Sequence, residues 1–376
     1  MFRAGQILSR LLQNDNQHPP ASAPQNEASM PTPFPSVEET LNHPAYPSTI
    51  WGLRPDREGR LAAAKDRGGP INIEWEIHGV GPQKIVLIMG LAGVKSSWQR
   101  QTCYFGHDRR DDYSVLILDN RGMGGSDKPV ARYSTYELGR DIIEVMDHVG
   151  WTKEREINLV GISMGGMIAQ EIACAIPSRL QSLSLLCTSA AVENNKSFQE
   201  TIHDVIGFMV PKTEDRAISD TAHQIFVEEW LTAADEGLVP SPDTTPNCDP
   251  VPGTPDGQYL HFETNFQRFQ AQEIHKRHGT GFTRKGLLCQ LTAAGLHRKT
   301  PEQLRAMADA VGRDRIMIMH GTRDNLITRP NGEKLIKIIE PSVGLIVEGM
   351  GHAPIMERAV WFNELLEERL QACGKL

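Results

Sequence analysis

Short apolar runs recur along the chain from residue 71 onwards, and they predict a buried sheet. Ile71, Ile73, Trp75 and Ile77 alternate with polar residues, which is typical of a strand with one exposed face. The later runs are unbroken and rich in branched side chains, as in parallel strands buried on both faces. These runs cover residues 85–89, 115–118, 157–160, 183–186, 316–319 and 345–347.

Helical patterns separate several of these strands, notably at residues 136–149 and 164–175. Because strands and helices alternate, the pattern predicts an α/β fold with a doubly wound, mostly parallel sheet. Roughly 130 residues between 186 and 316 contain no comparable strand, but they contain helical stretches at 223–233 and 285–296 around a Pro-rich loop at 239–255. We therefore predict a core at 46–189 and 308–376, and a helical cap at 190–307 inserted between strands.

Residues 1–45 are rich in Asn, Gln, Pro and Ser and predict a disordered or targeting tail. Its first 13 residues carry Arg3 and Arg10 among apolar residues, with no acid before Asp15, which suits either a mitochondrial transit peptide or a leader of no consequence. The chain ends Gly374-Lys375-Leu376, similar to the peroxisomal Ser-Lys-Leu signal except for its glycine. The expected location is intracellular: mitochondrial, with peroxisomal or cytoplasmic as alternatives.

Composition narrows the class of protein. A hydrophobic content of 39% and a mean hydropathy of −0.36 support a real core and argue against an integral membrane protein. The formal net charge of −8 argues against nucleic acid as a partner. The six cysteines show no metal-ligand spacing, so we expect reduced thiols and no metal site.

The strongest local signal is Gly161-Ile162-Ser163-Met164-Gly165, which lies between a predicted strand and a predicted helix. A serine on such a sharp turn needs a strained backbone, and side chains two residues to either side would collide. Glycine removes both collisions. The turn also sets Ser163 at the positive end of a helix, where the Met164 N–H can donate to a developing oxyanion. Ser163 is therefore the candidate nucleophile.

From Ile71 to the C-terminal helix the chain resembles the α/β-hydrolase family. The segment Met89-Gly90-Leu91-Ala92-Gly93 is similar to the family's His-Gly oxyanion turn, with Met89 in place of histidine, and implies the Leu91 N–H as the second oxyanion donor. Residues 119–126 (DNRGMGGS) are similar to the family's Asp-x-Arg-Gly-x-Gly-x-Ser turn, to which we assign a structural role.

The resemblance also implies a triad in the order serine, acid, histidine. Asp324 follows the strand at 316–319, and His352 lies in Gly349-Met350-Gly351-His352, similar to the family's histidine loop. Neutral His352 would accept the serine proton, and Asp324 would orient the imidazole. Asp314 and Glu193 are the alternative candidates for the acid. His297 and His320 are assigned structural roles.

A serine nucleophile indicates acyl transfer, so we expect a carboxylic-ester hydrolase that works through an acyl-serine intermediate and needs no cofactor. Alternatives are a thioesterase, an acyltransferase, a proline iminopeptidase and, from another class, a small-molecule-binding protein that does not hydrolyse. Apolar residues at helical spacing in the cap predict a small, largely apolar ester substrate, with Met209 and Trp230 as candidate pocket walls. The oligomeric state is left open.

Overall fold

A computed structural model describes residues 34–191 and 212–376. Their central element is an eight-stranded sheet. The strands are β1 (Arg57–Ala63), β2 (Ile71–His78), β3 (Gln83–Ile88), β4 (Tyr113–Leu118), β5 (Ile157–Ile162), β6 (Leu180–Leu186), β7 (Ile316–Gly321) and β8 (Val343–Val347). Their spatial order is β1-β2-β4-β3-β5-β6-β7-β8. Strand β2 is antiparallel to β1 and β4, and the other pairings are parallel. This confirms the predicted doubly wound, mostly parallel sheet.

Helices cover both faces of the sheet. They are α1 (Val37–Leu41), α2 (Gln99–Cys103), α3 (Thr135–His148), α4 (Met164–Ala175), α5 (Glu214–Ile225), α6 (Glu228–Thr232), α7 (Asn265–His278), α8 (Arg284–Leu296), α9 (Pro301–Val311), α10 (Arg329–Ile339), α11 (Pro354–Glu357) and α12 (Ala359–Cys373). One apolar cluster joins the sheet to α3, α4, α9 and α10, and a second joins its other face to α12. No helix in the two described ranges is long and apolar enough to cross a bilayer.

The apolar runs locate seven of the eight strands, and β1 is the strand that they miss. It pairs only with β2 at the edge of the sheet, and its first residues, Arg57 and Glu58, are exposed. An edge strand with charged, solvated side chains does not have to alternate strictly between apolar and polar residues. The hydrophobic pattern therefore gives no signal there.

The predicted helix at 223–233 is wrong as a single element. Helix α5 ends at Ile225, and Phe226 has an extended backbone with φ −116° and ψ 159° before α6 begins. The break lets the Phe226 ring stack on Trp230, with centroids 4.3 Å apart, and meet Phe269 edge to face at 5.1 Å. The aromatic packing of Phe226 thus outweighs the helical pattern, which would have placed this residue inside one continuous helix.

Two of the predicted domain boundaries also need correction. Residues 35–45 were assigned to the tail, yet they form α1, and Ala45 is buried in a cluster with Phe262. The boundary at 307/308 cuts through α9, whose apolar face packs with the sheet helices, so this helix belongs with the core. Residues 1–13, on which the mitochondrial prediction rests, lie outside the described residues.

The docking of α1 makes a specific prediction for stability. The buried Thr40 hydroxyl donates to the side-chain oxygen of Gln270 on α7. Thr40→Val keeps the shape but leaves that buried acceptor unpaired, so it should lower the free energy of unfolding by about 1–3 kcal/mol in urea titrations. The control Glu38→Gln, on the exposed side of α1, should change it by less than about 0.5 kcal/mol. Equal effects of the two changes would mean that α1 is not docked.

Candidate active site

The backbone of Ser163 is strained. Ser163 joins β5 to α4 with φ 57° and ψ −124°, a conformation that costs a non-glycine residue about 1–3 kcal/mol. A Cβ on Gly161 would lie 2.3 Å from the Gly165 carbonyl oxygen, and one on Gly165 would lie 2.2 Å from the Ile88 carbonyl oxygen. The two glycines are therefore required by close backbone approach, as the motif predicts.

The surrounding strands hold Ser163 by its backbone. Its N–H donates to the Leu186 carbonyl at 2.9 Å, and its carbonyl accepts from the Thr188 hydroxyl at 2.7 Å. The Ser163 carbonyl also accepts from backbone N–H groups in the first turn of α4. Within the described residues, the hydrogen bonds of Ser163 therefore all involve its backbone atoms. The side chain is therefore left for a reacting partner, and the residue is only 7% exposed.

His352 and Asp324 meet at the same edge of the sheet, although 28 residues separate them. Asp324 follows β7 and His352 follows β8, and the carboxyl ends of these parallel neighbours lie side by side. The His352 Nδ1 is 2.7 Å from the Asp324 Oδ2, and both side chains are buried. The His352 backbone N–H donates to the Ile225 carbonyl at 2.7 Å, so the insertion also holds the histidine loop.

The charge of Asp324 is well compensated. Its Oδ1 accepts from the backbone N–H groups of Leu326 and Ile327 at 2.9 Å each, and its Oδ2 faces His352 and the Nε2 of His320, which lies 3.3 Å away. Burial alone would raise the pKa of Asp324, but the charge of His352 and the hydrogen bonds from both histidines outweigh it and hold that pKa well below its ordinary 3.8. Asp324 is therefore an ionised acceptor.

His320, to which the sequence analysis assigns a structural role, lies against Asp324, and the sequence does not predict this contact. It is fully buried near the end of β7, and its Nε2 also lies 2.6 Å from the Ile327 carbonyl oxygen. The available signal was its place four residues before Asp324, at the carboxyl end of the same strand. His297, the other histidine set aside, instead contacts the hydroxyl of Thr135 at 2.9 Å.

The two predicted oxyanion donors both lie beside Ser163. Met164 is the first residue of α4, so its N–H has no partner inside the helix. A Cβ on Gly90 would lie 2.9 Å from the Ser163 Cβ, which places the turn that carries Leu91 directly against the serine. Within the described residues the Leu91 N–H makes no backbone hydrogen bond. Neither N–H group has a backbone partner among the described residues, and their role as oxyanion donors stays a prediction.

The remaining predicted residues are placed differently. Asp314 is exposed before β7, at the opposite end of that strand from Asp324. Glu193 and Met209 lie outside the described residues. Trp230 is half-buried on α6 and stacks on Phe226, whose Cα would be 3.3 Å from a Cβ on Gly351, the neighbour of His352. Trp230 is therefore joined to the histidine loop through Phe226.

Cys187, which follows β6, has its sulfur close to the Asp324 carboxylate and the His352 imidazole. Potential ligand atoms of Cys187, Asp324 and His352 lie within 4.8 Å of one another. Burial, together with the Asp324 charge, raises the pKa of the Cys187 thiol well above its ordinary range. The Cys187 thiol is therefore protonated while no metal is bound, and the absence of a metal stays a prediction.

The fold and this arrangement together match a known class. A model of the alpha/beta hydrolase fold family matches residues 84–359, which is most of the chain. The chain therefore belongs to the alpha/beta hydrolase fold family, as its motifs indicate.

Curated relatives match over a shorter stretch. The chain is 35% identical over 104 residues to 3-oxoadipate enol-lactonase 2 of Acinetobacter baylyi, covering 28% of this chain and 36% of that protein. It is 30% identical over 119 residues to a putative carbamate hydrolase, RutD, of Azorhizobium caulinodans, covering 32% of this chain and 42% of that protein. The matches thus span well under half the length of these relatives.

Solved structures match over most of the chain. A thermophilic esterase from Thermogutta terrifontis superposes with a TM-score of 0.63 at 17% identity, covering 84% of this chain and 99% of the esterase. An enol-lactonase from Burkholderia xenovorans superposes with a TM-score of 0.59 at 18% identity, covering 83% and 100% of the two chains. At these identities the similarity shows the fold alone.

The low pKa of Asp324 makes a prediction for acid stability. A carboxylate whose pKa is lower in the folded chain than in the unfolded one contributes stability that is complete above about pH 4. That stability is lost at about 1.4 kcal/mol per pH unit as the pH falls towards the folded-state pKa. The stability deficit of Asp324→Asn relative to the wild type should therefore shrink between pH 5 and pH 3 in urea titrations. Asp314→Asn is the control and should show a flat difference; a deficit for Asp324→Asn that grows would contradict the assignment.

Proposed function

We propose that the protein is a serine hydrolase that cleaves a carboxylic ester through an acyl-serine intermediate. The observation that carries the proposal is a strained Ser163 at the N-terminus of α4, on the same sheet edge as the buried, hydrogen-bonded pair of His352 and Asp324. The proposal also includes the backbone N–H groups of Leu91 and Met164 as the oxyanion hole.

The tautomer of His352 follows from its partner. Asp324 is ionised and can only accept, so Nδ1 of His352 carries the proton that the carboxylate binds. The nitrogen left for catalysis is Nε2, which takes the Ser163 proton as the hydroxyl attacks the ester carbonyl. It then gives this proton to the leaving alcohol, and a water molecule repeats the sequence to release the acid. The negative oxygen formed at each step would be bound by the two N–H groups.

Two observations favour an ester over the alternatives. The relative that is 35% identical over 104 residues is named as an enol-lactonase, and a lactone is a cyclic ester. An iminopeptidase needs carboxylates that bind the substrate amine, and three candidates among the described residues of the insertion are engaged or solvated. Glu229 pairs with Arg323 at 2.7 Å, Glu228 pairs with His223 at 3.0 Å, and the side chain of Glu263 is 86% exposed.

Replacement of the nucleophile tests the proposal. Ser163→Ala should abolish ester turnover, with a loss of about three to six orders of magnitude, and should also abolish labelling by a fluorophosphonate. Asp324→Asn should be strongly impaired, whereas Asp314→Asn should keep wild-type kcat/KM. Turnover that persists in Ser163→Ala would reject the serine mechanism, and a wild-type protein that resists labelling would favour a binding protein without catalysis.

The apolar character of the insertion near His352 predicts the substrate preference. Phe226, Trp230 and Phe269 pack together where the insertion meets the histidine loop, and we propose that this side of the site takes a largely apolar acyl or alcohol group. Each added methylene that is buried should contribute about 0.8 kcal/mol of binding free energy. Across a homologous ester series, kcat/KM should therefore rise with chain length up to the limit of the pocket. A flat series, or preference for a matched dianionic ester, would show that the pocket is not apolar.

A further inference from the structure

The turn that carries Leu91 is held by side chains from two other parts of the chain. We call residues 89–93 the oxyanion turn. The Asn120 side-chain amide donates to the Met89 carbonyl at 2.9 Å, and the Ala92 N–H donates to the side-chain oxygen of Gln290 at 3.0 Å. Ala92 has φ 58°, a left-handed conformation that a residue with a Cβ adopts at a cost. The oxyanion turn therefore depends on outside partners for its shape.

Gln290 lies on α8 of the insertion and is fully buried. Its side-chain nitrogen donates to the Arg121 carbonyl at 2.9 Å, so the amide bridges the oxyanion turn and the turn that follows β4. A backbone N–H can only donate and a backbone carbonyl can only accept. The side-chain oxygen of Gln290 must therefore face Ala92, and its side-chain nitrogen must face Arg121. Gln290 thus joins two backbone groups that lie 29 residues apart in the chain, Ala92 and Arg121.

The close approach of α8 to the turn that follows β4 is set by Gly286, one helical turn before Gln290. A Cβ on Gly286 would lie 2.1 Å from the Gly122 carbonyl oxygen, and Gly122 itself has φ 98°. The helix can approach this closely only because residue 286 has no side chain. Residues four apart lie on the same helix face, so the contact at Gly286 places Gln290 over the oxyanion turn.

We propose that Gln290 is a positioning residue that holds the Leu91 N–H in place for the oxyanion, so that the inserted helix α8 completes the catalytic site. The inference rests on the proposed function and deepens it. Gln290 binds the Ala92 N–H and not the neighbouring Leu91 N–H, which is thereby left for the oxyanion in the proposed mechanism. Loss of the bridge should weaken transition-state binding more than ground-state binding.

The first test is Gln290→Met, which keeps the length of the side chain and removes both hydrogen bonds. We expect kcat for a simple ester to fall by about 10- to 100-fold, with KM within about twofold, since a misplaced oxyanion donor acts on the transition state. Fluorophosphonate labelling, which also forms a tetrahedral oxyanion, should slow in parallel.

Gln99→Met is the matched control. Gln99 is a buried glutamine that likewise accepts from a backbone N–H, that of Trp51 at 3.1 Å, and donates to a backbone carbonyl, that of Thr49 at 3.3 Å. It makes no hydrogen bond to the oxyanion turn. Its replacement should lower the melting temperature to a similar extent and leave kcat unchanged. Equal losses of kcat in the two variants would reduce Gln290 to a structural role.

Gly286→Ala tests the same bridge without touching the glutamine. Its new Cβ must push α8 away from Gly122, so kcat should fall with little change in KM, as for Gln290→Met. If this variant folds and keeps wild-type kcat, the closeness of α8 is not needed for catalysis and the inference fails.

Hydrogen–deuterium exchange separates this inference from the proposed function. The peptide that contains residues 89–94 should exchange faster in Gln290→Met than in the wild type or in Gln99→Met. Exchange that stays unchanged, together with an unchanged kcat, would overturn the positioning role. If the wild type neither cleaves esters nor labels, while exchange in this peptide still accelerates, then the catalytic proposal fails and only the mechanical coupling of α8 to the turn survives.

Discussion

The site depends on one backbone constraint, the strained turn at Ser163. A serine at positive φ does not hold this conformation by itself, and the cost of about 1–3 kcal/mol must be met by surrounding packing. Here β3 and β6 meet it. The Ile88 carbonyl lies close to Gly165, and the Leu186 carbonyl accepts a hydrogen bond from the Ser163 N–H. Strand β3 leads into the oxyanion turn and β6 leads into Cys187. The packing that holds the strained serine therefore also fixes the positions of these neighbours.

A second constraint is electrostatic. A buried carboxylate is costly unless donors surround it, and Asp324 has donors on both oxygens: two backbone N–H groups on one and two imidazoles on the other. His320 therefore helps to offset the cost of keeping Asp324 charged, although no step of the proposed reaction uses it. The arrangement leaves Asp324 able to orient His352 without competing for the proton.

The residues that could be predicted from the sequence are those whose signal is local. Ser163 is recognisable from its flanking glycines, and Asp324 and His352 from their places after strands in a fixed chain order. The break at Phe226, the docking of α1 and the contact between His320 and Asp324 depend on partners distant in sequence or on competing packing, so periodicity alone could not show them. Gln290 is the clearest case: an ordinary helical glutamine becomes meaningful only when α8 lies against Gly122.

These long-range contacts change the role that the insertion plays. A cap that merely covered the sheet edge would select substrates and leave the catalytic groups to the core. In this chain the insertion binds the backbone of the histidine loop through the Ile225 carbonyl, pairs Glu229 with Arg323 beside the acid, and binds the oxyanion turn through Gln290. Each of the three loops that would act with Ser163 thus has at least one partner in the insertion. In the proposed mechanism, substrate selection by the insertion and the geometry of the catalytic groups would therefore be coupled, since a movement of the insertion would also strain the contacts that hold those loops.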